Sequence, residues 1–300
     1  MLRVLALAVL LFTFVGATAV AQDRPDGSRN SSRLAKPVVP DFKRVMIVIL
    51  ENADYDDAIK QPFLASLARR GALLARFSAE AHPSQPNYIA LISGSTQGVD
   101  GDSNATVDAP HVGDLLEKKM LQWKVYAEDY PGDCFLGSTQ GDYVRKHLPF
   151  LSFVDVQTNP ARCARIVDAS QLSDDIETGR LPTYSLYIPN LDNDGHDTDV
   201  AYADQWLSMK FGPLLDDKRF MRGLLFIVTF DESEGGDDES GQVPNHILTV
   251  LVGNTVKPGS VSDGSYDHYS LLRLVEDRFD LGHLNLNDAL ATPIDDIWKK

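Results

Sequence analysis

Basic residues are scarce in this chain and cysteines scarcer. Lys plus Arg number 28 against 43 Asp plus Glu, a formal net charge of −15, and only Cys134 and Cys163 carry thiols. An acidic balance of this size makes nucleic acid and anionic membrane surfaces poor partners, because both repel it. Two cysteines exclude a zinc ribbon or a disulfide-dense scaffold, and leave one pair to form or not. No internal repeat is present, and no G-x-S-x-G elbow of the kind that presents an acyl-transfer serine. The one long apolar run, Val4–Val15, is too short to span a bilayer, which takes about 20 apolar residues.

That run has another use. Arg3 precedes it and Ala19-Val20-Ala21 follows it as a small-residue cleavage pattern, so residues 1–21 read as a secretory signal and the destination as extracellular or periplasmic. Without Arg3 the mature chain holds 27 basic and 43 acidic residues, or −16. Residues 22–41 are polar with three prolines and no periodicity, a flexible leader, and 42–300 read as one domain. Outside the cytosol, Cys134 and Cys163 are expected to pair. Asn30 and Asn104 fit the N-glycosylation acceptor pattern. No stable membrane anchor is expected in the mature chain.

Strand-like and helix-like stretches alternate along the domain. Arg44–Leu50, Ala72–Phe77, Trp123–Tyr126, Thr183–Ile188, Leu224–Phe230 and His246–Val252 are apolar runs of strand length. Phe63–Gly71, Tyr88–Ser93, Val112–Lys119, Tyr202–Leu215 and Tyr269–Phe279 carry helical spacing. Such alternation predicts an α/β fold, a mostly parallel sheet covered by helices on both faces. Ligands of these sheets collect beyond the carboxyl ends of the strands.

Polar residues stand where that rule points. Glu51-Asn52 follows the first strand, Asp231-Glu232 follows Phe230, and the strand ending at Ile188 runs into a loop containing Asp192 and His196. Acidic residues after a strand also serve as helix caps and solvated turns. Three converging tips are a different matter, since two carboxylates about 4 Å apart repel by ~4 kcal/mol at an effective dielectric of about 20. They call for bound cations, raised pKa values or separation in space. The Asp192/His196 spacing brings a carboxylate and an imidazole within reach of one metal, and His268, at the start of the last long helix, adds a third donor. In His82-Pro83-Ser84-Gln85-Pro86-Asn87-Tyr88, two prolines fix a tight turn ahead of a helix. Ser84 there is either a helix cap or a nucleophile activated by a cation, with Asn87 available to an oxyanion.

These blocks together resemble the secreted acid phosphatase and phospholipase C phosphoesterase family. Glu51-Asn52 with Asp54-Tyr55-Asp56, the His82–Tyr88 block, Asn193–Thr198, Thr229–Glu232 and His268-Tyr269-Ser270 occur in the family's order, across Phe42 to about Leu281. Tyr143-Val144-Arg145-Lys146-His147 adds a likeness to the fungal-type acid phosphatases. The resemblance implies the alkaline-phosphatase-like three-layer αβα fold and metal-assisted hydrolysis of small phosphate monoesters through a phosphoserine. By position, Ser84 matches the nucleophile; Glu51, Asn52, Asp231 and Glu232 match ligands of the nucleophile-side metal; Asp192, His196 and His268 match a second cluster. The Asp-Glu tip after the late strand, where alkaline phosphatase has Asp-His, departs toward oxygen ligands. One or two divalent ions, Zn, Ca, Mg or Mn, stay open. Arg145, Lys146 and His147 either hold the phosphate or leaving group or form a solvated basic turn, and His82 reads first as a structural histidine beside the helix and second as a proton donor to the leaving oxygen. Two alternatives remain: a phospholipase C-like phosphodiesterase, and a catalytically inactive secreted binding protein.

Overall fold

The computed structural model describes residues 39–235 and 244–300. The expected signal segment and Asn30 lie outside them, as do most of the leader and the later part of the acidic tract from Glu232 to Glu239. Ten strands form, in chain order: β1 (Arg44–Leu50), β2 (Ala72–Ser78), β3 (Trp123–Ala127), β4 (Thr139–Gln140), β5 (Tyr143–Val144), β6 (Ile166–Asp168), β7 (Tyr184–Ile188), β8 (Leu224–Phe230), β9 (His246–Gly253) and β10 (Ser260–Asp267). Eight make one sheet in the order β10-β2-β9-β8-β1-β7-β3-β6, while β4 and β5 form a separate two-residue ladder. The fold is α/β with a mostly parallel central sheet.

Burial explains the strands that the sequence announces. Every residue of β8, and all but the first of β1, is buried, which is why both read as unbroken apolar runs. The expected mostly parallel sheet holds except at β9, which pairs antiparallel with both β8 and β2. An antiparallel neighbour needs no crossover helix, which parallel neighbours do. The edge strand β10 escapes a hydrophobicity reading because only two of its eight residues are buried and its sequence, SVSDGSYD, is polar.

Helices Pro62–Arg70 and Val200–Asp216 pack together, and Ser84–Ser93 packs on His268–Phe279. The second pair matters most for the site: Ser84 opens one helix and His268 opens the other. A disulfide joins Cys134 to Cys163 with 5.4 Å between Cα atoms, tying the loop after β3 to the helical turn Pro160–Cys163. Asn104 is half-buried in the loop before Val107.

Candidate active site

The carboxyl ends of β1, β2, β7 and β8 open on one edge of the sheet, and antiparallel β9 begins there, with His246 in register with Ser78. Each tip delivers a polar side chain. Asn52 follows Glu51 with φ of 49°, a left-handed conformation asparagine tolerates, and its amide donates to Asp231 Oδ1 at 3.1 Å. That bond ties the β1 tip to the β8 tip.

Ser84 is the first residue of helix Ser84–Ser93 and is buried. Its hydroxyl reaches Glu51 Oε2 at 3.0 Å and Glu232 Oε1 at 3.1 Å. Glu232 also pairs with His82 Nδ1, and the His82 side chain is half exposed. One helical turn after Ser84, the Tyr88 hydroxyl donates to Glu51 Oε1, so residues four apart grip the same carboxylate. An open cleft of about 380 Å³ adjoins Ser84, lined by Asn52, His82, Pro83, His196 and Glu232 among others.

The charge problem posed by converging acids appears in full. Burial raises Glu51 well above the ordinary carboxyl range, with Asp231 and Asp194 adding to it. Burial likewise pushes Asp194 and Asp231 up to about 7, and raises Glu232. His147 moves the other way: burial, then Lys146 and His196, hold its imidazole well below the usual value and therefore neutral. His147 stacks flat on Tyr88 and lies 3.4 Å from both Glu51 Oε1 and Asp194 Oδ2.

Several expected site residues stand elsewhere. Asp192 is exposed, its backbone carbonyl accepting from Thr198, and Asp194 occupies the buried position instead. The loop turns so that the His196 amide donates to Asp194 Oδ1, leaving the His196 ring outside, on Asp197 Oδ1 at 2.7 Å and over the cleft. His268 is buried with both ring nitrogens committed: Nδ1 to Glu80 Oε2 at 2.5 Å and Nε2 to the Phe230 carbonyl at 2.9 Å. Both partners are acceptors, so both nitrogens carry hydrogen and neither offers a lone pair to a metal. Although burial opposes the charge, Glu80 outweighs it and the His268 pKa rises. His268 props the peptide just before Asp231.

Asn87 is equally committed. Its Oδ1 accepts from the amides of Glu80 and Ala81 at 3.0 and 2.9 Å, and its Nδ2 donates to the Ala81 carbonyl at 2.8 Å. It clamps the turn that presents Ser84, its second Nδ2 hydrogen directed at the Pro83 carbonyl at 3.5 Å. Arg145 is buried and donates to the carbonyls of Leu136, Ala105 and Leu151, holding loops rather than facing the cleft. Lys146 binds Asp102 Oδ2 at 2.7 Å, while Asp102 Oδ1 accepts from the Gln85 amide at 2.9 Å. Burial works against the Lys146 ammonium, but the bond to Asp102 prevails and its pKa rises. His147, expected near the phosphate, sits among the acids.

Comparison with known proteins gives the family and the fold. The family model described as the phosphoesterase family matches residues 57–282. The chain belongs to the phosphoesterase family. A probable acid phosphatase of Kluyveromyces lactis is 36% identical over 266 residues, 85% of this chain and 62% of the relative. A phosphatidylinositol-3-phosphatase of Mycobacterium tuberculosis is 34% identical over 273 residues, covering 88% of this chain and 86% of that protein. This phosphoesterase thus spans about three fifths of the length of the fungal relative. Among solved structures, a Vibrio parahaemolyticus protein of the alkaline phosphatase superfamily superposes with a TM-score of 0.59 at 12% identity, over 86% of this chain and 72% of that one. That likeness supports the expected fold.

Proposed function

We propose that this phosphoesterase is a secreted acid phosphatase that hydrolyses phosphate monoesters through a metal-assisted phosphoserine. The observation that carries the reading is the Ser84 hydroxyl, held at a helix N-terminus within 3.0 and 3.1 Å of two buried carboxylates. A serine that merely caps its helix stands at the N-cap and bonds the backbone of the first turn, whereas here Pro83 holds the N-cap and the Ser84 hydroxyl is turned to the carboxylates.

The residues fit a divalent cation. Asp194 Oδ2, Asp231 Oδ2 and both ring nitrogens of His147 are buried without a hydrogen-bond partner. Glu51, His147 and Asp194 offer ligand atoms within 4.8 Å of one another, with Asp231 beside them. Buried acids left this way are costly unless a cation or protons balance them. Glu51, His147, Asp194 and Asp231 are therefore the residues that would hold the ion. When bound, it would supply charge neutralisation for the phosphate and favour the serine alkoxide.

The chain's own groups account for the rest of the reaction. Ser84 Oγ forms the bond to phosphorus as the ester oxygen leaves with its electron pair. The Ser84 proton passes to Glu232, and His82, paired with Glu232 and open to the cleft, gives a proton to the leaving oxygen. A water then cleaves the phosphoserine by the reverse proton path. Lys146, anchored by Asp102, supplies positive charge near Glu51 and Asp194, and His196 lines the cleft. Secretion is part of the proposal and rests on the signal-like residues 1–21 and on the Cys134–Cys163 disulfide. Among the described residues, no helix is long and apolar enough to cross a membrane.

The test is hydrolysis of p-nitrophenyl phosphate beside bis-p-nitrophenyl phosphate and p-nitrophenyl phosphorylcholine, from acid to alkaline pH, with and without chelator. Chelator-sensitive preference for the monoester with an acid optimum is the expected result. Preference for either diester would assign the protein to phosphodiester chemistry. Inactivity on all three in metal-loaded protein would favour the binding-protein alternative.

A further inference from the structure

A second set of acids lies away from the cleft, where helix His268–Phe279 ends and the chain returns to the far end of the Ser84 helix. Glu276 and Asp288 are both buried, at 1% and 0% exposure. His283 Nδ1 lies 2.8 Å from Glu276 Oε2 and 3.9 Å from Asp288 Oδ2. The three offer ligand atoms within 4.8 Å of one another. Glu276 Oε1 is buried with no hydrogen-bond partner.

The surroundings do not balance this charge. Asp288 accepts the amides of Leu284 and Leu286 at 2.8 Å, which shapes a tight loop around its carboxylate without supplying a cation. Its Oδ1 lies so close to Gly94 that a Cβ there would stand 2.5 Å away. Gly94 ends helix Ser84–Ser93, and its carbonyl accepts from the Asn287 amide at 3.0 Å. Asp288 thus faces a helix C-terminus, the negative pole, which disfavours an anion further. Asp277 adds another carboxylate, 3.9 Å from His283 Nε2, and Arg273 is spent on Asp277 and on the carbonyls of Ala289 and Ala291.

We propose that Glu276, His283 and Asp288 form a divalent-cation site that clips the 281–291 segment to the end of the Ser84 helix. One imidazole with two carboxylates suits Mn2+ or Zn2+ better than Ca2+, which prefers oxygen ligands throughout. The His283 side chain is 29% exposed and gives the ion a path from solvent. The role is structural, distant from the reacting serine by the length of a ten-residue helix.

The experiment uses the full chain, stripped with chelator and re-dialysed against Mn2+ or Zn2+, with Ca2+ as control, and counts metal per chain. Wild type is expected to hold one equivalent more than His283→Ala and one more than Glu276→Gln. At metal about 100-fold above Kd, that equivalent should raise the wild-type melting temperature by ~5 °C or more over the same rise in either variant. Glu51→Gln disturbs only the cluster near Ser84 and should keep the Glu276 equivalent, so failure of the catalytic metal leaves this count intact. Equal metal content in wild type, His283→Ala and Glu276→Gln would overturn the proposal.

Discussion

Replacing Asn87 by alanine separates two accounts of the same residue. The His82–Tyr88 block offers Asn87 as a donor to a bound oxyanion, whereas the structure spends it on the turn before Ser84. In Asn87→Ala the amides of Glu80 and Ala81 lose their acceptor. An unsatisfied buried amide costs about 1–3 kcal/mol, so the pair costs roughly 2–6 kcal/mol. The Ala81 carbonyl is cushioned, because Asn245 Nδ2 also donates to it at 2.9 Å. The carbonyl therefore adds little, and because both amides are part-buried the expected net loss lies in the lower half of that range, about 2–4 kcal/mol, a large share of the usual 5–15 kcal/mol total. Urea unfolding of wild type and Asn87→Ala, with unchanged slope, measures it directly. Activity should fall too, since the turn positions Ser84. A variant as stable as wild type but catalytically crippled would refute the clamp and restore the oxyanion role.

Three further outcomes follow from the site. His147→Ala should lose metal binding at the Glu51 cluster while leaving the Glu276 site filled; unchanged metal per chain would remove His147 from the ligand set. Arg145→Ala should destabilise by ~2 kcal/mol, because the buried Leu151 carbonyl and the part-buried Leu136 and Ala105 carbonyls lose a charged donor, with little change in KM of the molecules still folded; a large KM rise at unchanged stability would return Arg145 to the phosphate. In chelated protein, burial holds Asp194 and Asp231 near 7 against an ordinary 3.8, so the folded chain binds more protons across that interval. Stability should then fall as pH rises from about 4 to about 7, by up to ~4 kcal/mol per group, and added metal should reverse the trend. A chelated protein that gains stability across this range would contradict the assignment.

Much of the fold was legible because strands buried on both faces must read as apolar runs, as β1 and β8 do. The polar edge strand β10 and the three-residue β6 left no such mark. The placement of Glu51, Asp231 and Glu232 followed from where strands end, a rule of topology rather than of spacing, and that of Ser84 from the two-proline turn ahead of its helix. The errors came where facing decides. Counting four residues selects Asp192 with His196, yet the turn that bonds the His196 amide to Asp194 sends Asp194 inward and the other two outward. Arg145, Lys146 and His147 occupy one tight 3-10 turn, so consecutive side chains diverge to loop carbonyls, to Asp102 and to the buried acids. Glu80, which captures His268, left no local signal, since its partner is 188 residues away. Tyr88 did leave one: it follows Ser84 by a helical turn and had to share its face.

The central claim is that Ser84 itself carries the phosphoryl group, and rapid acid quenching during turnover tests it most directly. Metal-loaded wild type mixed with p-nitrophenyl phosphate, quenched and digested, should yield a phosphorylated peptide with the modification on Ser84. Ser84→Ala, folded by the same urea criterion, should show neither the phosphopeptide nor turnover. Full turnover with no phosphoprotein trapped and activity retained in Ser84→Ala would contradict the account, and would mean that water attacks phosphorus directly.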